Sequence, residues 1–389
     1  MTSLRALLPV PLAIATLVVA TSCTDDDGGS GASARSGTIE VSSTDDACTL
    51  SASSAPSGVV RFQVTNDGSK VTELYLLGTG DRVVSEVETI GPGLRRELVT
   101  EVEPGRYTVA CKPGMKGDGI RERFTVTDSG RTTAPSGKAA DLLAKATKGY
   151  ATYVEGEAAD LLAKTKAFAA AYAAGDDDAA RAAYAPTRVH WERIEPVAES
   201  FGDLDPKLDL READLEDGQA WTGWHRIEKD LWPPATDAPP SLTPEQRKEL
   251  SAQLVADTQT LVDRTQDLRY TPSQLGNGAK ELLDEVATGK ITGEEEIWSH
   301  TDLWDFQANV DGARVAYELL RPVVRLRDPQ LAKVLDREFT DVQALLDAQR
   351  DGDGFVTYDQ LSDAEVKAFA DAVNALGEPL SQLTSTVVR

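Results

Sequence analysis

Between residues 129 and 138, in SGRTTAPSGK, the spacing of apolar residues along the chain changes. A strand buries every second residue and a helix every third or fourth, so this switch divides the chain into two folds. Before it, GVVRFQVTNDGSKVTELYLLG, DRVVSEVETIGPG and PGRYTVACKPGM place Val, Tyr and Phe at period two. Asn-Asp-Gly, Gly-Pro-Gly and Pro-Gly turns separate them, and IRERFTVTDSG supplies a last strand. Residues 37–128 are therefore expected to form an all-β sandwich, with 129–138 as linker. From residue 139 to 389 the chain is rich in Ala, Leu, Glu, Lys and Gln, and an all-α helical bundle is expected. RKELSAQLVADTQTLVDRTQDL carries the period best: Leu250, Leu254, Leu261, Val262 and Leu268 share one face. Thr243, Pro244 and Gln246 mark its start as a capping box with proline at the first helical position. The DGDG segment fails as a calcium loop, because counting from Asp347 puts Gln349 at position three and Tyr358 at position twelve. A solvated helix–helix loop is expected there.

The first residues set the compartment. MTSLRALLPVPLAIATLVVATSC has one basic residue and an apolar run too short and proline-interrupted to span a bilayer, so residues 1–22 read as an export signal. Cys23 follows small residues and resembles the lipidated cysteine of bacterial lipoproteins, with 23–36 as a flexible tether. Plain cleavage and secretion is the alternative. Either way the protein is expected outside the cytoplasmic membrane, on its outer face or in the periplasm. Acidic residues outnumber basic ones by 64 to 40, a net charge of −24, which argues against nucleic acid as a partner.

Only three histidines occur, His190, His225 and His300, all in the helical half. His225 lies in WTGWHRIEKDLW, where Glu228 follows at i+3 and shares its helical face. An imidazole and a carboxylate aimed at one point form a half-site for iron, zinc or copper. Upstream, VHWERIEPVAESF repeats the Arg-Ile-Glu core, with Glu192 and Glu195 standing where His225 and Glu228 stand. Between the copies Asp205, Asp209 and Asp214 lie on an acidic connector, and farther on His300 stands beside Asp302 and Asp305. Zinc peptidase motifs need a second histidine, and residue 229 is Lys where the inverted motif requires one.

In the β half, Cys111 precedes Met115 by four residues, which resembles the ligand loop of cupredoxins. A type-1 copper centre needs two imidazoles, and this half has none. Two readings of Cys48 and Cys111 remain: a disulfide within the sandwich, or soft copper ligands assisted by Glu73 or Met115.

Taken together, GWHRIEKDLW, HWERIEPVAESFGDLDPKLDLRE and SHTDLWDFQANVDGA are similar to the imelysin-like domain of the EfeO family, and the preceding module to its cupredoxin-like domain. The resemblance covers residues 37–389. It implies the extracytoplasmic component of an EfeUOB-type ferrous-iron uptake system, carrying iron (Fe2+/Fe3+) and working with a membrane iron permease and a haem-dependent peroxidase. His225 and Glu228 match the family's metal motif; Glu192, Glu195, Asp209 and His300 fall in matching segments. Cys48, Glu73 and Cys111 match candidate ligand positions of the β-module. Imelysin-like domains have also been classed as peptidases, which leaves a zinc-dependent envelope peptidase as the alternative function.

Overall fold

The computed structural model describes residues 38–130 and 136–389, apart from 217, 235, 237–240 and 267. The export signal, the tether with Cys23 and part of the linker lie outside the described residues. Among the described residues no helix is long and apolar enough to cross a membrane.

The β half forms nine strands: β1 (Thr38–Ser43), β2 (Cys48–Leu50), β3 (Ser54–Pro56), β4 (Gly58–Asn66), β5 (Thr72–Leu77), β6 (Val83–Ile90), β7 (Arg95–Val102), β8 (Gly105–Cys111) and β9 (Ile120–Thr127). They pack as two sheets, ordered β2-β1-β4-β7 and β3-β9-β8-β5-β6. β4 shows why the alternation was decisive: Val60, Phe62 and Val64 point into the core while Val59, Arg61 and Gln63 stay half-exposed. Phe62 meets Phe124 of the facing sheet edge-to-face, with ring centroids 5.3 Å apart. β1 pairs with β4, and β3 with β9, in parallel; every other pairing within the sandwich is antiparallel.

Cys48 of β2 and Cys111 of β8 are joined by a disulfide that ties the two sheets together. This corrects the copper reading. A disulfide sulfur is not a thiolate, Met115 is 46% exposed, and Glu73 instead accepts a hydrogen bond from Tyr75 Oη (3.0 Å).

The helical half contains α1 (Gly137–Ala174), α2 (Asp177–Glu192), α3 (Glu195–Glu199), α4 (Asp205–Leu208), α5 (Gly223–Leu231), α6 (Pro244–Thr265), α7 (Pro272–Thr288), α8 (Asp302–Arg327), α9 (Pro329–Ala348), α10 (Asp363–Leu380) and α11 (Leu383–Val387). The capping box at Thr243 and Gln246 is present, but α6 ends at Thr265, so Leu268 packs from beyond the helix. The expected loop at DGDG is a small antiparallel ribbon, Arg350–Asp351 against Gly354–Phe355. It forms because Phe355 packs on Trp304 (centroids 5.9 Å apart) and anchors one side of the turn.

Two apolar cores fill the bundle. One joins α1, α7, α8, α9 and α10; the other joins the later part of α1 with α2, α5 and α6 around Phe168, Tyr184, Trp191 and Trp224. The sandwich rests on α7: Asn277 Nδ2 donates to Ser85 Oγ (2.9 Å) and to the Val99 carbonyl (3.0 Å).

Candidate metal centre

The two apolar cores bring α2, α5 and α8 together, and charged side chains are trapped where they meet. α5 is short and strongly amphipathic: Trp224, Ile227 and Leu231 enter the aromatic core, and His225 and Glu228 point the other way, both fully buried. Gly223, at the start of α5, has φ +84°, and a Cβ there would lie 2.2 Å from the Leu208 carbonyl oxygen. Only glycine permits that approach. It sets the end of α4, and Asp209 directly after it, against the imidazole.

Three overlapping donor groups result, each with ligand atoms within 4.8 Å of one another: Asp209, His225 and Glu295; His225, Glu228 and Glu296; and Glu192, Glu195 and Asp209. The two faces of the imidazole differ. Nδ1 lies 3.1 Å from Glu228 Oε2, whose partner oxygen Oε1 accepts the backbone N–H groups of Trp298 (3.1 Å) and Ser299 (2.8 Å). Both oxygens of Glu228 are thus in use, the arrangement by which a carboxylate orients a metal-binding histidine. Nε2 lies 3.4 Å from both Asp209 Oδ1 and Glu295 Oε1 and makes no hydrogen bond.

Buried cations are interleaved with these acids. Arg188 is fully buried, paired with Glu192 and Asp209, and its Nε lies 2.6 Å from Glu296 Oε1. Lys290 Nζ lies 3.0 Å from both Glu192 Oε2 and Glu195 Oε2. Burial pushes Glu295 up, but the charges of Lys290, His225 and Arg211 hold it well below the usual carboxylate range. Burial and neighbouring acids push Glu195, Glu296 and Asp305 well above it. Burial and the charge of Arg188 oppose protonation of His225; the hydrogen bond to Glu228 and the nearness of Glu295 and Asp209 outweigh them, so its pKa rises.

Of the residues expected at this centre, the structure gathers His225, Glu228, Glu192, Glu195 and Asp209. Glu192 ends α2 and Glu195 begins α3, so the apparent repeat of the His225 helix is a broken helix instead. His300 is a correction: it belongs to none of the three donor groups. Its backbone sits at φ +57°, and its carbonyl accepts from the Tyr358 N–H (2.9 Å). Asp214 is likewise outside the donor groups, paired with Arg211 at 2.8 Å. The sequence reading missed Glu295 and Glu296. The one signal for them was the run Glu294-Glu295-Glu296 just ahead of the Trp298 and His300 segment.

A second set of acids, Glu73 and Glu86 buried and the others half-buried, lies at the sandwich–helix junction. Glu73, Glu86 and Glu88 come from β5 and β6, Glu281 and Glu285 from α7. Glu88 and Glu285 hydrogen-bond each other, and Tyr75 Oη lies 3.3 Å from Glu88. Burial, then neighbouring acids, push Glu86, Glu88 and Glu285 well above the ordinary range and Glu281 up to about 8.

Comparison with known proteins follows the same division. The imelysin family profile matches residues 146–383 and the cupredoxin-like domain profile residues 12–126. The chain is 38% identical over 350 residues to the iron uptake system component EfeO of Escherichia coli (strain K12), covering 89% of this chain and 90% of that protein. The same identity and coverage hold for the EfeO proteins of Shigella flexneri and Shigella sonnei (strain Ss046).

Proposed function

The chain belongs to the EfeO family of iron uptake system components, with its cupredoxin-like and imelysin domains, and from that premise we propose that it captures iron around His225 and delivers it to a membrane permease. The observation that carries this reading is His225 Nε2: fully buried, without a hydrogen-bond partner, and facing Asp209 and Glu295 at 3.4 Å each. A neutral imidazole with hard carboxylate oxygens suits iron, and an ion there would displace the proton that the surrounding acids hold on the ring. Glu192 and Glu195 extend the donor set through Asp209. Glu228 orients the ring through Nδ1.

The protein works outside the cytoplasmic membrane, held there by lipid on Cys23, and hands its cargo to a membrane iron permease alongside a haem-dependent peroxidase. The sandwich, its two cysteines bonded to each other, serves as a docking and positioning module. The zinc-peptidase alternative draws no support from the centre. His225 and Glu228 are enclosed, and both oxygens of Glu228 are already engaged, Oε1 by two backbone N–H groups and Oε2 by the imidazole. The test is anaerobic calorimetry with ferrous iron. His225→Ala should weaken binding at least about 100-fold while the helical circular dichroism is kept; binding unchanged by the substitution rejects the site.

A further inference from the structure

Lys290 occupies part of the proposed iron centre. Its side chain is fully buried, and Nζ lies 3.0 Å from Glu192 Oε2 and 3.0 Å from Glu195 Oε2, two of the three acids in one donor group. An ammonium and a metal ion cannot both sit among these oxygens, because like charges a few ångströms apart in a buried site repel strongly. The neighbouring oxygens are prepared for an exchange. Asn309 Nδ2 donates to the Glu192 carbonyl (2.8 Å) and lies within hydrogen-bond distance of Glu195 Oε2 (3.0 Å) and Glu192 Oε2 (3.2 Å), so a neutral donor stays beside both acids if the ammonium withdraws. Asn309 Oδ1, on the same amide, is buried without a hydrogen-bond partner, an oxygen open to an incoming cation.

The backbone around Lys290 differs from that around Arg188. Arg188 is set within α2, one turn before its end, with acids close on several sides. Lys290 begins a single turn, Lys290–Thr292, flanked by Gly289 and by Gly293 at φ +72°. The same connection carries Glu295, the acid that faces His225 Nε2. The ammonium and a principal carboxylate thus lie on one segment.

We propose that Lys290 is the resident cation of the Glu192–Glu195–Asp209 group, and that iron enters this group only by displacing it. The inference rests on the iron-carrier reading and deepens it. An internal competitor lowers affinity and returns to its acids as cargo leaves, which is what a carrier requires.

The full chain is titrated anaerobically with ferrous iron alone, comparing the native protein with His225→Ala, Lys290→Met and Lys290→Arg. Lys290→Met should bind at least about ten-fold tighter, and Lys290→Arg should stay near the native affinity. A folded Lys290→Met protein that binds equally or more weakly overturns the proposal. If Lys290→Met does not fold, amine acetylation of the native chain, read by mass spectrometry, decides: Lys290 should become more reactive on iron loading, and unchanged protection overturns the proposal. A native chain that binds no iron, or binds it equally after His225→Ala, removes the carrier reading itself. Intact His225-dependent binding with no effect at Lys290 removes only this inference.

Discussion

The acids around His225 and those at the sandwich–helix junction are alike in side chain; they differ in burial, which is only partial for Glu88, Glu281 and Glu285, and in what compensates them. Around His225 the positive charge is built in: Arg188 and Lys290 lie among the acids, and Glu295 is held ionised. At the junction the cations act from the edges, Lys112 at 4.0 Å from Glu73, Lys280 on Glu281 and Lys290 on Glu285, and Glu88 and Glu285 share a hydrogen bond that requires a proton. The first set also has an imidazole nitrogen that faces two carboxylates without a hydrogen bond; the second offers only oxygen. A crowd of glutamates is therefore a poor guide to a cation site. A nitrogen donor, with resident charges that keep chosen acids ionised, is a better one.

Removing the fixed charge should break the comparison most violently. Arg188→Met leaves Glu192, Asp209 and Glu296 buried without their guanidinium, and a loss of about 3–5 kcal/mol is expected in urea unfolding. A smaller effect separates the two sets by function. Glu295→Gln should weaken ferrous-iron binding roughly 100-fold, about 2.7 kcal/mol, and Glu285→Gln by no more than about three-fold, both by calorimetry. Equal losses would mean that the junction also holds the ion.

The smallest effect concerns pH. Glu281 titrates near 4.5 when unfolded and is raised to about 8 in the fold, so the folded state binds the extra proton. Its contribution to stability is complete below the unfolded value and is lost as pH rises towards 8. Urea midpoints measured from pH 5 to pH 8 should fall, and Glu281→Gln should flatten the decline by on the order of 1 kcal/mol.

Much of this was legible in the chain. Alternation in β4 and the cap of α6 follow from residues within a few positions of each other, so the sequence displays them directly. His225 with Glu228, and Glu192 with Glu195, were visible for the same reason: each pair is local. Glu295 and Glu296 were not, because three consecutive glutamates ordinarily mark a solvated turn, and only the path between α7 and α8 carries these inward. Arg188 and Lys290 gave no signal, since lone basic residues are almost always exposed. His300 was drawn in by its place in a matching segment beside Asp302 and Asp305, and a left-handed backbone position next to the ribbon sets it apart from the donors.

Gly223 shows how the centre depends on an atom that is missing. The contact between the start of α5 and the Leu208 carbonyl exists because no methyl group stands between them. Any larger residue would wedge the two segments apart and pull Asp209 from the ring. The recognisable signature of the centre thus begins two residues ahead of its imidazole, with a residue that contributes no donor and supplies only room.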